Sequence, residues 1–423
     1  MDQLPPELIE VIGEHIRDKP TLKCCSLAAS VFRGPCQKRL FQLLKILILR
    51  DYNTGSHWIS EEPATRLESA PHLARYVRQL RIQFSPMGPW RRARVTWMRV
   101  LARILAQLTA TQEVCLVAFG DWDQRDRHGD PIQVLLAWLT RQPPGSIRRV
   151  IVEGPENVPM RDFQILLSVA SSAYFRSLRV EAGPVATTDD RLAENSLHVL
   201  NTPLSPTVVD LLLDPQLGYY TKSLRTLSIH LTPSNLLSSL VALCCATANH
   251  LESIQFNEWI PDVNLSAIVH LDVQPQLSLP KYLPNLAHLS VRVDKELHGQ
   301  TFKPAWLLQS VIVNLLPSSV SPALRLIDIH VTMSIDGHQL QEFLGQPLGS
   351  FMETLDDALV ENNTIKAVHW IFCNTSFTGW RPAQFLAVLD AFSRAVESAL
   401  PKTWSKGLLF FSREEFEVDP LLR

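Results

Sequence analysis

Leu224-Arg225-Thr226-Leu227-Ser228-Ile229, Leu283-Pro284-Asn285-Leu286-Ala287-His288-Leu289-Ser290-Val291 and Leu324-Arg325-Leu326-Ile327-Asp328-Ile329 are three versions of one short pattern. Apolar and polar residues alternate in each, which is the period of a strand. Strand-like runs of the same kind are expected at Leu43–Leu49, Val77–Phe84, Val114–Phe119, Arg149–Val152, Leu178–Glu181, Leu251–Phe256, Ile365–Phe372 and Leu408–Phe411. Helical periodicity lies between most of them, over Arg94–Leu108, Ile132–Leu139, Asp162–Ala170, Leu236–Ala248, Ala305–Leu315, Phe351–Val360 and Pro382–Leu400. Strand–helix alternation fits either a doubly wound sheet or a leucine-rich solenoid. The leucines recur at fixed places and no Gly-x-Gly loop follows a strand, so the solenoid is the better reading. The fold class is therefore α/β, with a degenerate leucine-rich-repeat-like domain of parallel strands and helices over residues 46–423.

Two expectations follow from that reading. Leu227, Leu289 and Ile327 occupy equivalent interior positions of parallel strands. Thr226, Ser228, His230, Ser290, Arg292, Asp328 and His330 then point to the opposite face. Solenoids use that face to hold partners, so Ser228, His230, Arg292 and His330 are candidate target contacts. The set is polar and suits a protein surface better than a lipid or a cofactor.

Working outward, the whole chain has 423 residues, 46% apolar and 19% charged, a globular composition. Forty basic residues stand against forty-two acidic ones, so no global field favours nucleic acid or an anionic membrane. The stretch Leu236–Ala248 is too short to span a bilayer. The opening residues show neither the basic region nor the apolar run of a secretory signal. Seven cysteines, four of them in the pairs Cys24-Cys25 and Cys244-Cys245, do not resemble a disulfide framework. Cytoplasm or nucleus is the expected compartment, where the sequon-like Asn264, Asn362 and Asn374 carry no meaning.

The search for chemistry gives little. Asp121-Trp122-Asp123-Gln124-Arg125-Asp126-Arg127-His128-Gly129-Asp130 reads as a solvated loop, because its arginines interrupt any cation-binding spacing. Arg91, Arg92, Arg94, Arg99 and Arg103, with Trp90 and Trp97, read as the polar face of a helix. There is no nucleophile elbow, phosphate loop, zinc-protease motif or zinc spacing, so no enzyme, cofactor or metal is expected.

The first forty-five residues form a separate problem. Leu4-Pro5-Pro6-Glu7-Leu8 opens a helix with prolines in its first turn. Leu8, Val11, Ile12 and Ile16 share one helical face. Asp18-Lys19-Pro20 restarts the chain into a second helix with Leu22, Cys25, Ser26 and Leu27. A third segment begins at Val31-Phe32, is expected to be interrupted at Gly34-Pro35, and runs to Leu40-Phe41. So small a unit buries too little to stand alone and needs a partner.

This ordered series resembles the F-box, in the form common in fungal F-box proteins. Ala29-Ser30 stand where that family usually has Cys-Arg, and a looser likeness continues through residues 71–82. The resemblance implies an F-box over residues 1–45 whose Leu4, Pro5, Leu8, Ile12, Leu22 and Leu27 face a Skp-type adaptor or the module's own core. It further implies a non-catalytic substrate adaptor of a cullin ubiquitin ligase, with the repeats holding a target protein. The alternative is an interaction scaffold with no link to ubiquitination.

Overall fold

The computed structural model describes residues 4–16, 18–50, 57–86, 97–121, 131–143, 145–181, 183, 197–230, 235–257, 279–295, 313–333, 351–374 and 382–414. Its contacts divide the chain into two compact units, one over Met1–Leu197 and one over His198–Val418.

The first unit opens with three helices, α1 (Pro6–His15), α2 (Lys19–Ala28) and α3 (Ser30–Leu40). Pro6 sits in the first turn of α1, where a missing N–H is harmless. The Asp18 carboxylate caps α2 by accepting from the Thr21 N–H at 2.7 Å. The expected interruption at Gly34-Pro35 is absent, and α3 runs unbroken through Pro35. Proline removes one ladder bond there, but its ring packs against Gly13 of α1. A Cβ on Gly13 would stand 3.2 Å from Pro35 Cβ, so the two residues fix a close helix crossing.

Strands and helices then alternate: β1 (Leu43–Arg50), β2 (His57–Ile59), α4 (Glu62–Ser69), β3 (Gln79–Pro86), α5 (Trp97–Gln107), β4 (Glu113–Asp121), α6 (Pro131–Leu139), β5 (Ile147–Glu156), α7 (Met160–Val169) and β6 (Ala170–Arg176). The short β2 pairs antiparallel with β1, and β1, β3, β4, β5 and β6 are parallel neighbours in that order. Ile46, Ile82, Leu116, Val152 and Phe175 form one cross-strand row, and all five are buried. Phe163 of α7 meets Phe175 with ring centroids 5.6 Å apart.

The second unit repeats the plan. Its strands are β7 (Val199–Asn201), β8 (Thr226–His230), β9 (Ser253–Asn257), β10 (His288–Lys295), β11 (Leu326–Met333), β12 (Ala367–Asn374) and β13 (Leu409–Glu414). Each pairs parallel with the next. Helices α8 (Pro206–Leu213) and α9 (Asn235–Thr247) lie between strands, as do Phe351–Glu361 and Pro382–Ala399. Leu227, Leu289 and Ile327 share one interior row as expected, with Ile254 between the first two and Val368 following. Among the parallel strands of each unit, order follows the chain, without the reversal that makes a doubly wound sheet.

A recurring device starts the strands. One carbonyl accepts two successive N–H groups of the following repeat. His198 O serves Arg225 and Thr226, Arg225 O serves Glu252 and Ser253, Glu252 O serves Ala287 and His288, and Ala287 O serves Arg325 and Leu326. Gln42, Arg78 and Gln112 do the same in the first unit. Leu224, Leu251, Leu286 and Leu324, which precede these strands, are fully buried. Thr111 holds the corresponding place before β4, buried, with its hydroxyl donating to Val77 O at 3.4 Å.

Further departures concern element type. The strand expected at Leu178–Glu181 is reduced to a single bridge between Val158 and Val180. The strand of that repeat is Ala170–Arg176, directly after α7. Ala-Ser-Ser-Ala-Tyr-Phe has few β-branched residues, so pairing with β5, not propensity, makes it a strand. Sequence patterning also missed β7 and α8, although Ser205-Pro206 is an ordinary helix start.

Candidate interaction surfaces

The three-helix unit presents its apolar stripe outward. In α1 the buried residues are Ile9 and Gly13. The face expected from periodicity, Leu8, Val11 and Ile12, is exposed, with Leu8 at 49%. Leu4 is exposed before the helix, and Leu27 of α2 is 85% exposed. Leu22 faces the interior at 4%, so of the six residues expected at the adaptor or in the core, Leu4, Pro5, Leu8, Ile12 and Leu27 are on the outside. The close Gly13–Pro35 crossing explains the choice: α1 approaches α3 where Gly13 carries no side chain, and that turns Ile9 inward and the Leu8–Ile12 stripe outward. Lys38 pairs loosely with Glu10 across the same crossing, at 3.8 Å.

On the second unit, the strand face opposite the core carries a polar row, Ser228, Gln255, Ser290, Asp328 and His369, which ends at the apolar Phe410. Ser228 is 2% exposed and its hydroxyl donates to Gln255 Oε1 at 2.9 Å, so it is not available to a target. Arg292 and His330 are half-buried, and neither lacks a partner. The side chain of His230 lies outside the described residues, as do Trp90, Arg91, Arg92, Arg94 and residues 122–130 of the charged stretch. Arg103 turns to Glu68, its Nε donating to Oε1 at 2.7 Å.

The centre of the polar row is a cluster that sequence patterning did not assemble. His288 Nε2 donates to Asp328 Oδ2 at 2.8 Å, and its Nδ1 meets Ser253 Oγ at 3.1 Å. These partners assign the imidazole proton to Nε2 and make Ser253 the donor to Nδ1. His369 Nδ1 stands 3.2 Å from Asp328 Oδ1, and its ring meets Phe410 edge-on at 5.3 Å. Burial raises the Asp328 pKa. The hydrogen bond from His288 and the nearby His288, His369 and His330 outweigh it and leave the carboxyl below its ordinary value. The signal was a register relation: His288, Asp328 and His369 come from strands far apart in sequence.

A serine, a histidine and an aspartate in series resemble a nucleophile relay in order only. The Ser253 N–H is already held by Arg225 O at 2.9 Å. Mid-strand N–H groups belong to the ladder and cannot converge on an oxyanion. Among the described residues, no group of three or more metal-ligating side chains could hold an ion. Burial pushes the Cys244 thiol up to about 12 and raises that of Cys36 as well, with neighbouring thiols adding to both. Neither is therefore poised as a thiolate. No described helix is long and apolar enough to cross a membrane. No protein-family model matches the chain, and no curated protein is similar to it.

Proposed function

We propose that the chain is an F-box substrate adaptor. Its first forty-five residues dock a Skp-type adaptor of a cullin ubiquitin ligase, and its strand–helix repeats, read as an irregular leucine-rich solenoid, hold a target protein. The observation that carries the reading is the outward apolar stripe of Leu8, Val11 and Ile12 on α1, with Leu4 before it and Leu27 of α2 also exposed, on an otherwise small three-helix unit. Single exposed leucines are ordinary, but a contiguous helical stripe marks an interaction surface. Its order in the sequence, from Leu4-Pro5 to Leu40-Phe41, is the order of the F-box pattern. Ala29 is the extended residue between α2 and α3, so the departure from the family's Cys-Arg pair falls at a helix junction, away from the stripe on α1.

The test is capture of a recombinant Skp-type adaptor by the full chain. Leu8→Asp combined with Ile12→Asp puts two charges into the stripe without touching Ile9 or Gly13. Loss of an apolar anchor at an interface centre costs about 2 kcal/mol or more, so the double variant is expected to lose capture while its melting temperature is kept. Equal capture by wild type and variant would turn the reading to the scaffold alternative.

A further inference from the structure

We infer that Arg81 is a carboxylate-binding residue on the first unit, built to receive an acidic side chain of a polypeptide partner. Arg81 lies on β3 between Leu80 and Ile82, both of which point into the core. Its own side chain is on the opposite strand face, in the row Lys45, Arg81, Cys115, Ile151 and Tyr174. It is only 6% exposed, yet among the described residues its Nε and Nη1 have no acceptor and Arg81 forms no ion pair. The nearest amide in the row below, Gln79, donates instead to Glu113 Oε2 at 3.3 Å.

A guanidinium cannot shed its proton, so it cannot relieve its burial by becoming neutral. Burying it unpaired opposes folding, and native proteins rarely keep such a group without a use. The surroundings suit an anion. On one side Lys45 adds a second, exposed cation. On the other, Cys115, Val117 and Ile151 make a dry apolar floor, with Leu43 and Tyr174 packed on it. Hydrogen bonds from a guanidinium strengthen where water is excluded. The exposed Leu47, one row along on β1, offers an apolar neighbour on the same face. Lys45 stays in water, where its charge is screened, so the buried end of the site holds one cation and matches one negative charge, a carboxylate and not a phosphomonoester carrying nearly two. The occupant is therefore a glutamate or aspartate flanked by an apolar residue, on an extended segment of another protein. The inference does not depend on the ligase reading.

The probe is a fluorescein-labelled peptide of four Glu-Ser-Leu repeats, followed by anisotropy against the full chain. Matched peptides carry Gln or phosphoserine in place of Glu. Saturable binding of the Glu peptide is expected, weakened at least about tenfold in Arg81→Met and with the Gln peptide. Arg81→Met is expected to melt no lower than wild type, because it removes an unpaired buried charge. Binding that survives Arg81→Met, or no saturable binding in wild type, would overturn the proposal. So would a lower melting temperature for both Arg81→Met and Arg81→Lys, which would make the guanidinium a structural member. Tighter binding of the phosphoserine peptide would overturn the choice of carboxylate. Capture of the Skp-type adaptor, measured on the same variants, is expected to be unchanged, so the two readings fail separately.

Discussion

Asp328 is the residue whose surroundings have the sharpest consequence for stability. Its folded pKa is depressed by His288, His369 and His330 against the opposing effect of burial. A carboxyl with a depressed folded pKa contributes stability that is present above its unfolded value. That contribution is lost as pH falls through the folded value. Asp328→Ala leaves the His288 N–H without its acceptor and is expected to cost ~1–3 kcal/mol at pH 7. The gap between variant and wild type should narrow below about pH 4. Urea unfolding at pH 7 and at pH 3 measures both. A gap that stays constant with pH would remove the carboxylate from the account. Only half of this cluster was legible beforehand. Alternation placed Asp328 and His330 on the outer face, but nothing in a single strand shows that His288 and His369 flank Asp328. That relation depends on the register of β10, β11 and β12, which is fixed by the leucines and carbonyls at their starts. Ser228 shows the opposite error: its face was read correctly, but its burial under Gln255 was not.

At the scale of the element, the crossing of α1 and α3 makes the most demanding use of a small residue. Gly13→Ala adds a Cβ at 3.2 Å from Pro35, a contact that a slight shift relieves, and it gains about 1 kcal/mol of helix propensity. It is expected to be close to neutral. Gly13→Leu cannot be accommodated by a shift of that size, and overpacking of this kind costs ~1–3 kcal/mol. Hydrogen exchange should show α1 losing protection first, and adaptor capture should fall with it because α1 carries the stripe. If the leucine variant melted like wild type, the crossing would not be close in solution. The helix itself was readable from Pro5-Pro6 and from the spacing of its apolar residues. Which face turns inward was not, because periodicity identifies the apolar face and assumes it is buried. Pro35 misled in a related way: proline predicts a break, and the packing against Gly13 overrides it. β6 escaped because alanine and serine carry no strand signal of their own.

Across the whole molecule, each repeat of the second unit touches chiefly its neighbours, so stability should behave as a sum of local terms. Leu289→Ala is expected to cost ~2–5 kcal/mol, with exchange rising most in β9, β10 and β11 and least in β13. Uniform loss across the unit would show that it melts as one cooperative block. The alternation of strands and helices was visible from the leucine pattern alone, because each repeat restates it. The division at Leu197–His198 was not, since no change of composition marks it. The doubly accepting carbonyls have a last consequence, for how such a chain can lengthen over generations. His198 and Arg225 are separated by as many residues as Arg225 and Glu252, whereas Ala287 and Arg325 lie further apart. The strands β8 to β12 nevertheless begin in the same phase, so added residues are tolerated away from a strand start and not directly before it. One alanine inserted between Leu251 and Glu252 would turn each side chain of β9 to the wrong face. A dozen glycines and serines inserted in an exposed turn away from any strand start, such as Asp214–Gln216, would add only the closure entropy of a longer loop, roughly 0.6 kcal/mol for each doubling. Soluble yield and melting temperature should therefore fall sharply for the single residue and barely for the twelve.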